Sequence, residues 1–263
     1  MANLDNTFHD VASIAPPRIR SITPRDLTES LRRGWEDFLA QPSHLVFIAL
    51  IYPIAGVLLA QLTVSYNIFP LLFPLLSGFA LIGPFAAIGL YEVSRRRERG
   101  MDSSWSHALG VLRSRSIGQI LLLGAMLTGL FLAWLFSAWF IYRGILGLPA
   151  DVSTADFLHA VFTTFDGWVM IVIGNSVGLL FAVLAFSISV VSFPLIIDRH
   201  VDAPTAIRTS IAAVEANPRV MMYWGLMVTG LLVLGCLPVL VGLVVVMPVL
   251  GHATWHLYRK VVA

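Results

Sequence analysis

The chain has 263 residues, 57% of them hydrophobic and 12% charged, with a formal net charge of +2. That is about half the charge of a typical soluble globular domain, and with a mean hydropathy of +0.83 it excludes water as the main solvent. The one cysteine, Cys236, lies within an apolar run, which excludes an intrachain disulfide framework and a thiolate metal cluster.

Residues 1–25 read as a cytoplasmic N-terminal tail and 26–263 as a single six-span membrane domain. The first long apolar run begins near Leu45, too late for the core of a cleavable signal, so the tail is expected to stay on the mature protein. A spanning helix needs about 20 apolar residues to cross a hydrocarbon core of about 30 Å. Stretches at about 44–64, 68–92, 118–142, 168–197, 219–236 and 238–258 meet that demand. The last two form a tight helical hairpin, because Val220 to Tyr258 contains no Asp, Glu, Lys or Arg and only Gly235 and Pro238 supply a break.

Three amphipathic segments precede the hairpins. Asp26 to Pro42 and Asp202 to Pro218 align without a gap. In them Asp26 and Asp202 are candidate N-caps, and Leu31, Trp35 and Phe38 match Ile207, Ile211 and Val214 as apolar stripes. Ser103 to Arg115 reads as a degenerate third copy with Trp105, Leu109 and Leu112 as its stripe. The expected fold is therefore all-α, a polytopic membrane helical bundle of six transmembrane helices built as three repeats of an amphipathic interfacial helix plus a hairpin.

Lys and Arg near span ends stay on the cytoplasmic side. With six spans, sixteen of the seventeen cations fall on one side and only Arg143 on the other, so both termini are expected in the cytoplasm. On the outer side, Ser153-Thr-Ala-Asp156 is placed to cap a short helix bearing Phe157, Leu158, Val161, Phe162 and Phe165, lying flat on the outer leaflet.

Polar detail gathers at the cytoplasmic rim. His252 and His256 are spaced i, i+4, so both imidazoles share a helix face suited to a metal or haem edge. A third ligand would have to come from His200 or Asp198, and the structural alternative places both histidines with Trp255 and Tyr258 in an aromatic belt. Glu92 to Arg99 packs four arginines and two glutamates at the end of the second span, which suits lipid-headgroup or partner docking, or a topology signal with internal ion pairs. Arg32, Arg95, Arg96, Arg97 and Arg208 are the candidate contact residues. Glu92, Asp198, Arg199 and Asn175 are candidate structural polar groups, with Glu92 facing Arg199 or Arg208 and Asn175 sealing helix packing beside Gly174 and Gly178. Prolines 53, 70, 74, 84, 238 and 248 bend the spans, either as the breaks that mark substrate sites at transporter midplanes or as static kinks.

Tyr52-Pro53, Gly83-Pro84, Gly89 to Glu98, Ser192-Phe-Pro194, Asp198-Arg199, Asn217-Pro218 and Pro248 to Arg259 resemble a bacterial integral-membrane family, domain of unknown function 2189, from about Ile19 onwards. The resemblance implies a six-helix membrane protein and brings no established reaction. Some members carry a label suggesting cytochrome c oxidase subunit one, which implies a much longer chain with dedicated haem and copper histidines that this sequence lacks.

No phosphate-binding loop, dinucleotide fingerprint, nucleophile elbow or zinc-protease helix is present, and the arginines follow membrane topology rather than nucleic acid. The leading expectation is a non-enzymatic inner-membrane protein without a cofactor, acting as an accessory, assembly or contact factor on membrane lipids or another membrane protein complex. Its rivals are a small-solute transporter or channel and a haem or metal protein using His252 and His256.

Overall fold

The computed structural model describes residues 17–40, 54, 56–58, 61, 69–104, 109–148, 152–238 and 240–263. Among these it is all-α: α1 (Pro24–Ala40), α2 (Leu72–Phe79), α3 (Gly83–Ala86), α4 (Ile88–Glu98), α5 (Ile117–Ile145), α6 (Thr154–Thr163), α7 (Phe165–Ser189), α8 (Ser192–Arg199), α9 (Ala203–Ala216), α10 (Pro218–Cys236) and α11 (Leu243–Val261). Short 3-10 turns occupy Phe69–Leu71, Ala80–Ile82 and Leu109–Arg113.

Three helical stretches are long and apolar enough to cross a membrane: Ile117–Ile145, Phe165–Arg199 and Pro218–Cys236. Their outward faces carry apolar side chains, among them Leu132, Phe136, Leu180, Val183, Leu226 and Leu234, as helices facing lipid must. The expected first span at 44–64 lies largely outside the described residues. The expected second span is not one continuous helix. It is divided into a 3-10 turn, α2, a second 3-10 turn, α3 and α4, because Pro70, Pro74 and Pro84 each lack the amide hydrogen that a continuous helix requires. Trp134 partly repairs the backbone there, its indole N–H donating to the Pro74 carbonyl at 2.9 Å. α10 ends at Cys236 and α11 begins at Leu243, and between them Leu240 takes φ of 66°. Gly235 and Gly242 approach so closely that a Cβ on Gly242 would lie 2.8 Å from the Gly235 Cα.

At one end of the bundle α4, α8 and α11 pack against one another. Around them α1 lies on α11, α9 lies on α7 and α8, and the 109–113 turn lies on α4 and α5. Residues 18–20 and 261–263 join as an antiparallel pair, with Arg20 N–H donating to Val261 at 2.8 Å and Ala263 N–H to Arg18 at 2.9 Å. Asn217 anchors this pair to the α9–α10 corner, its side chain accepting from Ile22 N–H and donating to the Arg20 carbonyl.

The cap of α9 is as expected, Asp202 accepting from Thr205 N–H. The cap of α1 is not Asp26. The helix starts two residues earlier, and Thr23 is the residue before it, whose backbone N–H and hydroxyl both donate to Asp26 at 2.8 Å, only the carboxylate half of a capping box, with Pro24 at the first helical position. The buried face of α1 also differs from the expected stripe. It consists of Leu27, Ser30, Gly34, Asp37 and Phe38, and Trp35 faces outward. The small residues are there because α1 and α11 touch backbone to backbone, and a Cβ on Gly34 would lie 2.7 Å from both Ala253 N and the Val249 carbonyl. At the other end, Ser153 caps α6 through Asp156 as expected. Phe157 and Val161 pack on Tyr142 while Phe162 and Phe165 stay exposed.

Gly34→Val is expected to cost about 1–3 kcal/mol through overpacking and to lower the melting temperature of the detergent-solubilised protein. Gly118→Ala, where nothing lies within 4 Å of the added carbon, should leave it unchanged.

Candidate functional site

The polar residues singled out from the sequence converge where α1, α4, α8 and α11 meet. Asp37 stands at the centre of the first cluster. Its Oδ2 accepts from His256 Nε2 at 2.8 Å and from the Ser94 hydroxyl at 2.5 Å, and Arg97 lies 3.4 Å from Oδ1. Ser94 has one proton and gives it to Asp37, so its 2.7 Å contact with His252 Nδ1 must be donated by the imidazole. His252 is then fixed as the Nδ1–H tautomer, with Nε2 buried and unpartnered among the described residues. Burial alone would push the Asp37 carboxyl up, but the hydrogen bonds from His256 and Ser94 outweigh it and hold the group below its ordinary value.

Both histidines therefore belong to an α1–α4–α11 hydrogen-bonded chain. They are buried inside the protein together with Trp255 and Tyr258, which corrects the aromatic-belt reading. No group of three His, Cys, Asp or Glu with metal-binding geometry occurs among the described residues. The two residues considered as a third ligand are engaged elsewhere. His200 pairs with Ser116 at 2.8 Å, and Asp198 accepts from Arg99 at 2.6 Å and from the Tyr258 hydroxyl at 2.7 Å.

The arginine cluster is largely closed on itself. Glu92 is buried and takes both Arg95, at 2.7 and 2.8 Å, and Arg96, at 2.7 Å. Its partners are thus its own helical neighbours and not Arg199 or Arg208, because i+3 and i+4 guanidiniums reach it without crossing a helix interface. Arg199 instead binds the Ala263 carbonyl. Arg32 is held by Glu29 and Glu36 on its own helix, and Arg97 is spent on Asp37 and the Glu36 carbonyl. Glu98 accepts from the Trp255 indole and from Arg259, and Asp26 from Lys260 at 3.0 Å. Among the described residues, exposed Arg208 has no ion pair, and the same holds for exposed Arg18, Arg20, Arg25, Arg113, Arg115 and Arg219. Asn175 does not seal packing. It is exposed and bonds the Ile171 carbonyl of its own helix, while Gly178 is the residue that Trp134 packs against.

Two clefts open on this layer. One, of about 350 Å³, lies beside Asp37 and is lined by Arg32, Arg33, Glu36, Arg97, Glu98 and His256. The other, of about 210 Å³, lies between α4, the start of α5 and the end of α8. Sequence reasoning missed Asp37, Ser94, Ser114 and Asn217. The available signal was that Asp37 shares the Ser30–Gly34 face, which reads as polar only if that face is assumed to look at water.

Carboxyls held below their ordinary pKa stabilise the fold above that value and lose the contribution as pH falls through the lowered one. Asp26, held at about 2 by the Thr23 N–H and Lys260 against an ordinary 3.8, behaves this way, and so does Asp37. The α1–α11 contact should be complete above about pH 4 and loosen progressively below it, read by near-ultraviolet circular dichroism of the buried tryptophans. Asp37→Asn should cost about 1.5–3 kcal/mol at neutral pH, the value of hydrogen bonds to a charged group, and should flatten the acid transition. An unchanged stability at pH 7 would remove Asp37 from its central role.

No curated protein and no solved structure matches the chain. Residues 71–198 match the sequence model of a family described as a predicted integral membrane protein (DUF2189). That stretch runs from the start of α2 to Asp198 and holds Glu92, Ser94 and the arginine cluster, leaving Asp37, His252 and His256 outside it. Over these residues, a shorter stretch than the resemblance noted from the sequence, the chain is similar to the DUF2189 family of predicted integral membrane proteins.

Proposed function

We propose that this chain is a six-span, non-enzymatic protein of the bacterial inner membrane that acts as an accessory or assembly factor, contacting anionic lipid and another membrane protein through a cytoplasmic collar of interfacial helices. The observation that carries the reading is the division of the rim cations. Those in the tight sequence cluster each face an internal carboxylate, whereas Arg18, Arg20, Arg25, Arg113, Arg115, Arg208 and Arg219 stand exposed and unpaired among the described residues at the end of the bundle where α1 and α9 lie. Each such cation near an anionic leaflet is worth about 1 kcal/mol.

Three further observations support the architecture. The antiparallel pair of 18–20 with 261–263 puts both segments on one face, which an odd number of crossings cannot do. The apolar stretches at 44–64, at 68–92 and in α11 make the total six. The buried positions of α1 and α9 also coincide in the alignment, Leu27 with Ala203, Ser30 with Ala206, Gly34 with Ser210 and Asp37 with Ala213. With the 109–113 turn on α4, α9 on α8 and α1 closing on α11, the repeat reads as a ring of three units around α4, α8 and α11. A small-solute transporter is the second reading, favoured by the proline-broken stretch from Phe69 to Ala86.

In a Cys236→Ser background, an impermeant maleimide applied to spheroplasts should label Asn67→Cys and Thr154→Cys and spare Thr28→Cys and Glu215→Cys. Labelling of either of the last two would break the six-span, cytoplasmic-collar assignment. Native mass spectrometry of the protein released from its own membrane should retain a stoichiometric partner or anionic lipid. Arg208→Gln with Arg219→Gln should reduce that retention, whereas a bare monomer would sink the accessory reading and favour transport.

A further inference from the structure

We infer that the 210 Å³ cleft between α4, α5 and α8 is a receptor for a single phosphate group, formed by Arg95, Arg96, Ser114, Ser116 and His200. This site is separate from the exposed collar and does not depend on it.

Charge is the first argument. Among the described residues Glu92 is the only carboxylate lining the cleft, with Asp198 acting on Arg95 from outside it, and Glu92 is shared by two guanidiniums. The lining groups therefore carry an uncompensated positive charge, on side chains that are mostly buried, Arg95 at 16% and Arg96 at 22% exposure. Water screens such charge less than it screens surface arginines, so an anion gains more there. Arg95 gives Nε and one terminal nitrogen to Glu92, and Arg96 gives Nε to Glu92 and one terminal nitrogen to the Asp102 carbonyl. Each guanidinium keeps N–H donors that these bonds do not use, in the forked geometry suited to phosphate oxygens.

Hydrogen bonding is the second. The Ser114 hydroxyl is buried and has no partner among the described residues. An orphaned buried hydroxyl costs about 1–3 kcal/mol, a cost that a bound acceptor would remove. Ser116 starts α5 but does not cap it, because its hydroxyl is turned to His200 Nδ1 at 2.8 Å and to the Ile196 carbonyl. No side chain caps this 29-residue helix, and although its first amide, Ile117 N–H, is spent on the Ser114 carbonyl, the positive end of the helix lies at the same spot, where an anion is favoured. At about 30 Å³ per water, the cleft has room for a tetrahedral anion with several waters, which is more than one monatomic ion needs.

Depth is the third. Ile117 begins a stretch long and apolar enough to cross a membrane, so the cleft sits where that stretch begins. A phosphate there can come from a phosphomonoester lipid headgroup or from solution, and the chemistry of recognition is the same.

The test uses the full chain in phosphatidylcholine nanodiscs, with thermal unfolding followed as inorganic phosphate is added. Phosphate should raise the melting temperature in a saturable way, since a ligand that binds only the folded state stabilises it. Ser114→Ala and Arg96→Gln should each weaken apparent affinity about tenfold, one hydrogen bond to a charged group being worth that much. Ser114→Ala should leave the phosphate-free melting temperature unchanged or higher, which separates ligand binding from folding. If inorganic phosphate gives no shift but native mass spectrometry from nanodiscs containing phosphatidic acid retains one such lipid, lost in both variants, the headgroup is the source. No binding of either probe, or binding that both variants keep at wild-type strength, overturns the proposal.

Discussion

A carboxylate taken out of water costs several kcal/mol unless donors surround it, and three buried carboxylates meet that demand at one end of this bundle. Asp37 draws donors from α4 and α11, Asp198 from Arg99 and Tyr258, and Glu92 from two arginines of its own helix. Two of the three are satisfied only when separate helices have come together. The arrangement therefore fixes which helices meet and how far each is rotated, something the apolar spans cannot do alone, because lipid solvates their side chains as well as a neighbouring helix does.

The same constraint explains the contrast between the two ends. At the α6 end, helices meet through rings, with Phe157 on Tyr142 and Phe69 at the α6 corner, and through the close passage of Gly167 under Ala160 and Val161. At the end where α1, α4, α8 and α11 meet, they are joined by hydrogen bonds between charged and neutral groups, with small residues such as Gly34 and Gly251 allowing the backbones to approach. Packing through rings tolerates small rotations, whereas a network in which each donor has one acceptor does not. Orientational specificity is therefore concentrated on the rim, which is also where the exposed arginines are displayed.

Much of this was legible in the sequence, where hydrophobic run length is the dominant signal. The helices at 117–145, 165–199 and 218–236 fall within a few residues of their expected positions, as does the Ser153-capped helix α6. Asp202 was legible as a cap because the helix it starts has no competing Thr two or three residues earlier. Asp26 was misread because Thr23 and Pro24 precede it. The breaking of the second span was only half legible, since each proline announces a bend but three in succession replace the helix with turns. Least legible was the inner face of α1. A search for an apolar stripe rewards Trp35 and penalises Asp37, yet Asp37 is inside and Trp35 outside, because the surface that α1 covers is itself polar. That fact belongs to His256, which is 219 residues away in the chain.

That separation has a consequence for biogenesis. The face of α1 that carries Ser30, Gly34 and Asp37 is synthesised more than 200 residues before His256 of the helix that covers it. Throughout insertion of the intervening segments, α1 has an unsatisfied polar face on one side and Trp35 and Leu39 on the other. A helix so divided rests stably at the headgroup layer, where water reaches one side and acyl chains the other. Docking of α1 onto α11 is then the closing step, because only it brings His256 and Ser94 to the Asp37 carboxylate.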